Sequence, residues 1–428
     1  MLEYICDGDL SKIPINTTHL IFGDDFNEEI DNLPNSITHL TFGKKFNKPI
    51  YNFYGTLTNI FVKDYVKINK LPNSITHLTF GSYFNQPVYY LLNSITHLTF
   101  GDNFNQPVCY LPNSITHLTF GDKFNQPINY LPNSITHLIF GSFFNQSVNY
   151  LPNSITHLIF GTYFNKSVDN LPSSIKYLKF SDLFNQPIDN LPSSIIQLKL
   201  GHDFNRSVDN LPNSIKKLEF NYYFNRTVDK LPNSITHLSF GHCFNQCVDN
   251  LPNSITHLSF GNCFNQCVDN LPNSITHLTF GCNFNQSIDN LPNSITHIYL
   301  NNSFNKPINN ISNSIIYLSI CNYKFNYSIK PIIDKIKIIV VLNYDCYLSN
   351  KEILKNKYVL FSHDFRYYSH NNITMKIDQI YCEKIVKLFY FTQEILFEKL
   401  TQYVFNPQRL LRFAEKYNLT IDEYIDFL

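Results

Sequence analysis

Apolar residues recur with a period of 20 along most of the chain, as in the copy LPNSITHLTFGDKFNQPINY at 111–130. The repeated apolar positions of this copy are Leu111, Ile115, Leu118, Phe120, Phe124 and Ile128. Polar and apolar side chains alternate over 117–120, a pattern typical of a short strand with one buried face. We therefore predict one such strand in every copy.

Twelve copies of this unit occupy 71–310, and two more occupy 13–52. A shortened copy of 18 residues is assigned to 53–70, and a final loosened copy to 311–330. A unit this short cannot bury its own apolar face, so neighbouring units must stack to do so. The sequence predicts a repeat solenoid over 13–330, mainly β, with a parallel sheet along one face.

The two ends lack the regular unit. Residues 1–12 are predicted to form an N-terminal cap. Residues 331–428 are predicted to form a small mixed, mostly α region that either caps the solenoid or docks a second protein. Within it, β-branched and aromatic runs indicate strands at 336–342 and 358–361, and helical spacing indicates a helix at 383–404 with short helices after it.

Two further positions of the unit have predictable structural roles. Asn125 has an equivalent in every regular copy, directly after a phenylalanine. Because buried backbone groups must be paired, we expect these asparagines to form a ladder between neighbouring coils. Gly121 follows the strand and suits a place where a side chain would be awkward.

The segment Phe-Asn-Gln-Pro at 84–87, 104–107 and 124–127, together with Leu-Pro-Asn-Ser-Ile-Thr-His-Leu, resembles the FNIP repeat family. This family is a leucine-rich-repeat relative known mainly from slime moulds and from amoeba-infecting giant viruses of the mimivirus type. The resemblance implies a leucine-rich-repeat-like fold and a protein-interaction scaffold, sometimes joined to an F-box that recruits a ubiquitin ligase. Residues 1–12 are too few for such a domain, so we expect no N-terminal F-box.

Charge and hydropathy narrow the classes of partner. The chain has 33 basic and 33 acidic residues, so bulk charge does not favour nucleic acid or an anionic membrane as a partner. No stretch reaches the roughly 18 apolar residues that span a bilayer. With the viral resemblance, these features predict an intracellular protein, located in the host cytoplasm.

Eleven of the 15 histidines share the position of His117, which should point outward from the sheet. They are His19, His39, His77, His97, His117, His137, His157, His237, His257, His277 and His297. Stacked imidazoles suggest a metal, but parallel rings do not converge as tetrahedral zinc ligands do, so we predict no metal site there. Protonation of the column near pH 6 should destabilise the fold by like-charge repulsion.

Cysteines are paired in two successive copies, as Cys243 with Cys247 and Cys263 with Cys267, and Cys282 follows in the next copy. Near-identical repeats would carry such pairs without selection for a metal, and no Cys-x-x-Cys spacing occurs among them. We interpret them as free thiols in a reducing compartment. Whether they bind a metal is left open by the sequence.

The outward positions change character in three central copies, 171–190, 191–210 and 211–230. We predict partner contacts there at Lys176, Tyr177, Lys179, Gln197, Lys199, Lys216, Lys217 and Glu219. Arg206 and Arg226 lie in the same copies, and tyrosine and arginine are enriched at binding hot spots. Neutral drift of surface positions is the alternative explanation.

The sequence contains no phosphate-binding glycine loop, HExxH or GxSxG motif, and no cofactor is predicted. We expect a non-catalytic scaffold that binds an unknown protein partner, with no nucleic acid or membrane partner and with the oligomeric state open. The alternatives are a ubiquitin-ligase substrate adaptor without an N-terminal F-box, and a structural or virion-associated protein.

Overall fold

The computed structural model divides the chain into two compact units, Met1–His363 and Asp364–Leu428. All described residues lie in the first unit. They are 2–53, 67–89, 91–308, 310–320, 322, 325, 336, 338–341 and 358–360. The predicted helices of the C-terminal region lie outside the described residues.

The described residues form twenty strands and one 3-10 helix at Leu10–Lys12. The strands are β1 (Glu3–Cys6), β2 (His19–Phe22), β3 (His39–Thr41), β4 (Tyr51–Phe53), β5 (Lys67–Asn69), β6 (His77–Thr79), β7 (His97–Thr99), β8 (His117–Thr119), β9 (His137–Ile139), β10 (His157–Ile159), β11 (Tyr177–Lys179), β12 (Gln197–Lys199), β13 (Lys217–Glu219), β14 (His237–Ser239), β15 (His257–Ser259), β16 (His277–Thr279), β17 (His297–Leu300), β18 (Tyr317–Ile320), β19 (Ile338–Val341) and β20 (Tyr358–Leu360).

Eighteen of these strands form one sheet, in which every described pairing is parallel. In the regular region each residue pairs with its equivalent 20 residues later, as Leu118 pairs with Leu138. The 20-residue period is therefore the register of the sheet. This confirms the predicted fold class, a leucine-rich-repeat-like solenoid with a parallel sheet along one face.

The core consists of the six apolar positions predicted from the repeat. In the copy 111–130 each of these side chains is at most 8% exposed. Phe120 and Phe124 stack within the coil at a centroid distance of 3.7 Å, and Phe124 stacks on Phe144 of the next coil at 6.1 Å. Two columns of phenylalanine rings, the first of them interrupted by Leu200 and Leu300, thus add offset stacking to apolar burial.

Polar ladders join the coils outside the apolar core. The backbone N–H of Asn125 donates to Oδ1 of Asn105 at 3.0 Å, which confirms the predicted asparagine ladder. On another side of the coil, the hydroxyl of Ser114 donates to the carbonyl of Ile95 at 2.6 Å. These bonds pair backbone groups where the chain turns and strand hydrogen bonds are absent.

Gly121 is required by a close approach between coils. An ideal Cβ at this position would lie 2.2 Å from the carbonyl oxygen of Gly101, well inside van der Waals contact. The same column contains Ser181 and Asn221, so these two coils carry a side chain at this position.

The assignment of 53–70 as a shortened coil is wrong. β3 pairs directly with β6, and β4 and β5 pair with each other as an antiparallel hairpin. Ile50 and Leu71 are buried in the core positions that Ile128 and Leu131 hold elsewhere, and the N–H of Lys70 donates to the carbonyl of Ile50 at 3.1 Å. The segment between them therefore replaces a two-residue link, and its described strands, β4 and β5, lie outside the main sheet.

The predicted end of the solenoid at residue 330 is also wrong, because the main sheet continues beyond it. β19 pairs with β18, and β20 pairs with β19, both in parallel. Tyr317 pairs with Ile338 and Ile338 with Tyr358, so the strand spacing stays close to 20 while the sequence motif is lost. The strands predicted at 336–342 and 358–361 are confirmed. At the other end, β1 pairs with β2 and forms an edge of the sheet within 1–12.

Candidate interaction surface

The outward surface of the main sheet is here called the strand face. It consists of three columns of side chains, at the positions of Thr116, His117 and Thr119. Leu118 and Phe120 between and beside them are 1% and 2% exposed, so the predicted inward and outward alternation is confirmed. The strand face is thus a surface whose composition varies while the core behind it is constant.

Histidines form two stacked runs on the strand face. The first run is His19, His39, His77, His97, His117, His137 and His157, and the second is His237, His257, His277 and His297. Successive rings within a run have centroids 4.0 to 4.3 Å apart and interplanar angles of 8° to 13°. The spacing follows from the parallel register, which places identical side chains one strand apart.

A threonine beside each ring orients it. Oγ1 of Thr116 is 2.9 Å from Nδ1 of His117 and 3.2 Å from the carbonyl oxygen of Thr96 in the preceding coil. A hydroxyl has one proton, so both contacts are satisfied when the threonine donates to the carbonyl and the Nδ1–H of the histidine donates to the hydroxyl. This assignment leaves Nε2 of the ring as a hydrogen-bond acceptor.

Burial and the neighbouring imidazoles lower the pKa of His77 and His117 to about 4. The same causes lower the pKa of His277 to about 4. The pKa values of His39 and His137 are also lowered, chiefly by burial. The prediction that the column protonates near pH 6 is therefore wrong for His77, His117 and His277 in the folded protein, because the pKa of each lies well below 6.

The eight residues predicted for partner binding interrupt the histidine runs and are here called the central patch. Tyr177 pairs with Gln197 and Gln197 with Lys217, while Lys179 pairs with Lys199 and Lys199 with Glu219. Lys176 and Lys216 lie in the column of Thr116 and are exposed. Parallel pairing therefore places six of the eight residues on the adjacent strands β11, β12 and β13. The other two, Lys176 and Lys216, come directly before β11 and β13.

Sequence reasoning missed Ile196, which occupies the same column between Lys176 and Lys216 and is 40% exposed. The signal was present, since an isoleucine stands where most copies carry threonine. The central patch thus combines an exposed apolar side chain with charged neighbours.

Glu219 is the acidic residue of the central patch and contacts two of its lysines. Nζ of Lys199 is 2.9 Å and Nζ of Lys217 is 3.1 Å from its carboxylate. Burial alone would raise the pKa of Glu219, but the hydrogen bond from Lys199 and the charges of both lysines lower it overall. Burial also raises the pKa of Tyr177. Five lysines against one glutamate leave the central patch positively charged.

The structure separates Arg206 and Arg226 from the central patch. Their Nε atoms donate to the carbonyls of Asn185 and Asn205 at 3.0 and 3.1 Å, beside the asparagine ladder. Both line an open groove of about 270 Å³ together with Asp209. They are therefore not part of the strand face.

A second surface feature was not predicted from the sequence. Tyr110, Tyr130 and Tyr150 end three successive copies and are 71% to 73% exposed. In later copies this column is asparagine except at Lys230, and Asn190 Nδ2 donates to Asp169 Oδ1 at 3.1 Å. Comparing the last two residues of each copy would have revealed this change from an aromatic ridge to a hydrogen-bonded ladder.

The four paired cysteines lie in two different places. Cys247 and Cys267 each approach the carboxylate of the aspartate two residues later, with Sγ to Oδ2 distances of 3.0 Å. Cys243 and Cys263 instead lie beside His242. Among the described residues no cysteine forms a disulfide.

In the part of the chain that the structure describes, no helix has the length and apolar character needed to cross a membrane.

Two solved structures of other proteins are similar to this chain to different degrees. CroV588, a protein of the giant virus CroV described as a novel circular LRR protein, is 38% identical with a TM-score of 0.55. The match covers 82% of this chain and 63% of CroV588, so this chain spans less than two thirds of that structure. YopM from Yersinia enterocolitica is 13% identical over 73% of this chain and 82% of YopM, with a TM-score of 0.33. The search of curated proteins found no match.

Eleven segments match the family described as FNIP Repeat. They are 10–45, 29–53, 66–89, 107–143, 144–183, 184–223, 204–243, 224–263, 244–283, 264–302 and 284–312. Together they cover more than half of the sequence and overlap the regular coils of the solenoid. The chain belongs to the FNIP repeat family.

Proposed function

We propose that this chain is a non-catalytic scaffold that binds an acidic protein partner through the central patch. The observation that carries the proposal is the interruption of the two histidine runs by five lysines, Tyr177 and Ile196, without any change in the sheet register. Repeat solenoids commonly use their extended faces as protein-binding surfaces.

The composition of the central patch suits a charged partner. The lysine ammonium groups can pair with carboxylates of the partner, and the exposed apolar atoms of Ile196 and Tyr177 supply area that gains from burial. Glu219 holds Lys199 and Lys217 close together, which positions two positive charges on neighbouring strands. Charged side chains around a few exposed apolar atoms are the usual composition of a protein interface, which has an apolar centre and a polar rim.

The test is a comparison of proteins captured by the full chain and by the variant K179A/K199A/K217A in cells that express it. A matched control carries Thr99→Ala and Thr119→Ala on β7 and β8, in the outward column of Lys179 and Lys199. We expect one partner to be captured by the parent and the control and lost from the lysine variant. Equal capture by all three would overturn the central patch as the binding surface.

Three further measurements separate the alternative functions. Ubiquitin-ligase components lost from a chain ending at His363, the boundary of the first compact unit, would favour a ligase adaptor. Recovery of the chain mainly in purified particles would favour a virion-associated structural protein. Location in the host cytoplasm remains part of the proposal, and imaging of the tagged chain during infection tests it.

A further inference from the structure

A cluster of metal-binding side chains lies outside the strand face. One donor atom each from His242, Cys243 and Cys263 lies within 4.8 Å of the other two. Cys243 and Cys263 occupy the same position in two successive coils, and His242 precedes Cys243 in the chain. The 20-residue register therefore brings together sulfurs that are distant in sequence.

The surroundings restrict the imidazole of His242. Its ring stacks on Tyr222 with a centroid distance of 4.4 Å and an interplanar angle of 2°. Tyr222 in turn stacks on His202 at 4.7 Å, and the Asn262 side-chain amide is 3.2 Å from Nδ1 of His242. A ring held from its face and from one nitrogen loses little freedom when it binds a ligand.

We propose that His242, Cys243 and Cys263 form a binding site for a borderline-soft divalent cation of the Zn²⁺ type. Two thiolates and an imidazole are a donor set that zinc accepts, and the three donors leave a fourth position for water. Binding releases the two thiol protons to solvent, and the cation then offsets the repulsion between the thiolates.

Binding of such a cation would strengthen the contact between the two coils that carry Cys243 and Cys263. Burial and the adjacent Cys263 raise the pKa of the Cys243 thiol when no metal is present. A cation shared between the two coils would add a cross-link beside the hydrogen bonds that already join them, such as Cys263 N–H to the carbonyl of His242 at 2.8 Å.

The test is a titration of the reduced, metal-free full chain with Co²⁺, followed by displacement with Zn²⁺. We expect one equivalent to bind with a thiolate-to-cobalt charge-transfer band that Zn²⁺ removes. Cys263→Ser should weaken binding by more than about 100-fold, because loss of an outer-shell partner alone costs up to roughly that much. Ser303 occupies the same column in another coil, so the substitution suits the fold.

The matched control is Cys247→Ser with Cys267→Ser, which removes two sulfurs from the same two coils and leaves the proposed site intact. This control should bind Co²⁺ as the parent does. His242→Gln should keep the charge-transfer band and weaken binding at least about 10-fold. It remains informative if a serine variant fails to fold, since Asn262 shows that the column accepts an amide. Binding without a thiolate band, or binding that persists unchanged in C263S, would place the metal at another site and overturn the proposal.

Discussion

The histidine runs and the central patch share one core and one register, yet their outward columns differ in every residue type. Behind both, the second phenylalanine of each coil is fully buried, as at Phe124 and Phe224. In front, stacked imidazole rings are replaced by lysines around Glu219. The comparison teaches that packing of the core fixes the inward side of each strand, whereas the outward side can change without altering the register.

Acidification should produce the largest change in the free energy of unfolding, because it acts on many histidines at once. In the folded protein the pKa of His77, His117 and His277 is lowered to about 4, whereas an unfolded histidine has a pKa of about 6.5. Between these values the unfolded state binds more protons, so the free energy of unfolding falls as the pH falls. We expect a lower melting temperature at pH 5.5 than at pH 7.5, and a further drop toward pH 4.5.

A variant with His77, His97 and His117 replaced by glutamine isolates the contribution of the histidines. Gln197 already occupies this column between β11 and β13. The variant should show a shallower fall in melting temperature over the same pH range. An unchanged pH profile would mean that other groups cause the acid sensitivity.

Truncation of a buried phenylalanine should lower the free energy of unfolding by the same amount behind the histidine runs and behind the central patch. Phe124→Ala and Phe224→Ala each remove a fully buried ring and should lower the free energy of unfolding by about 3–5 kcal/mol. Urea unfolding followed by circular dichroism measures both. A much smaller loss for Phe224→Ala would show that the central coils are packed less tightly, against the shared core inferred above.

Loss of the asparagine ladder should have a moderate effect that differs between the regions. Oδ1 of Asn125 accepts from the N–H of Asn145 and from Nε2 of Gln146, so Asn125→Ala should cost about 1–3 kcal/mol. Asn205 Oδ1 accepts from the N–H of Asn225, which is more exposed, and Asn205→Ala should cost less. Equal losses in urea unfolding would argue that solvent exposure does not weaken the ladder.

The smallest expected effect is from Glu219→Gln. Its ion pairs with Lys199 and Lys217 are partly open to solvent, so the loss should be below about 1 kcal/mol at neutral pH. Because the folded pKa of Glu219 is lowered, this stability is present above the unfolded pKa and is lost as the pH falls through the folded value. Parent and variant should therefore unfold alike in strong acid. A difference that grew on acidification would contradict the assignment.

Much of this architecture was accessible from the sequence because each coil repeats the same inward pattern. The buried positions, the strand alternation and the asparagine ladder all follow from a 20-residue period. The same reasoning failed at 53–70, where an insertion of nearly one period mimics a degraded copy. It also failed after 330, where β19 and β20 keep the spacing of the sheet without the motif.

The sequence by itself determined the fold class, since a short repeated unit can bury its apolar side chains only against copies of itself. It also located the central patch, because a change in a repeated column is visible without coordinates. Only the tertiary structure decided that β4 and β5 leave the main sheet, that Cys243 and Cys263 meet His242 while Cys247 and Cys267 do not, and that the pKa of His117 is lowered to about 4. Those outcomes depend on distances and burial across coils, which the order of residues within one coil does not contain.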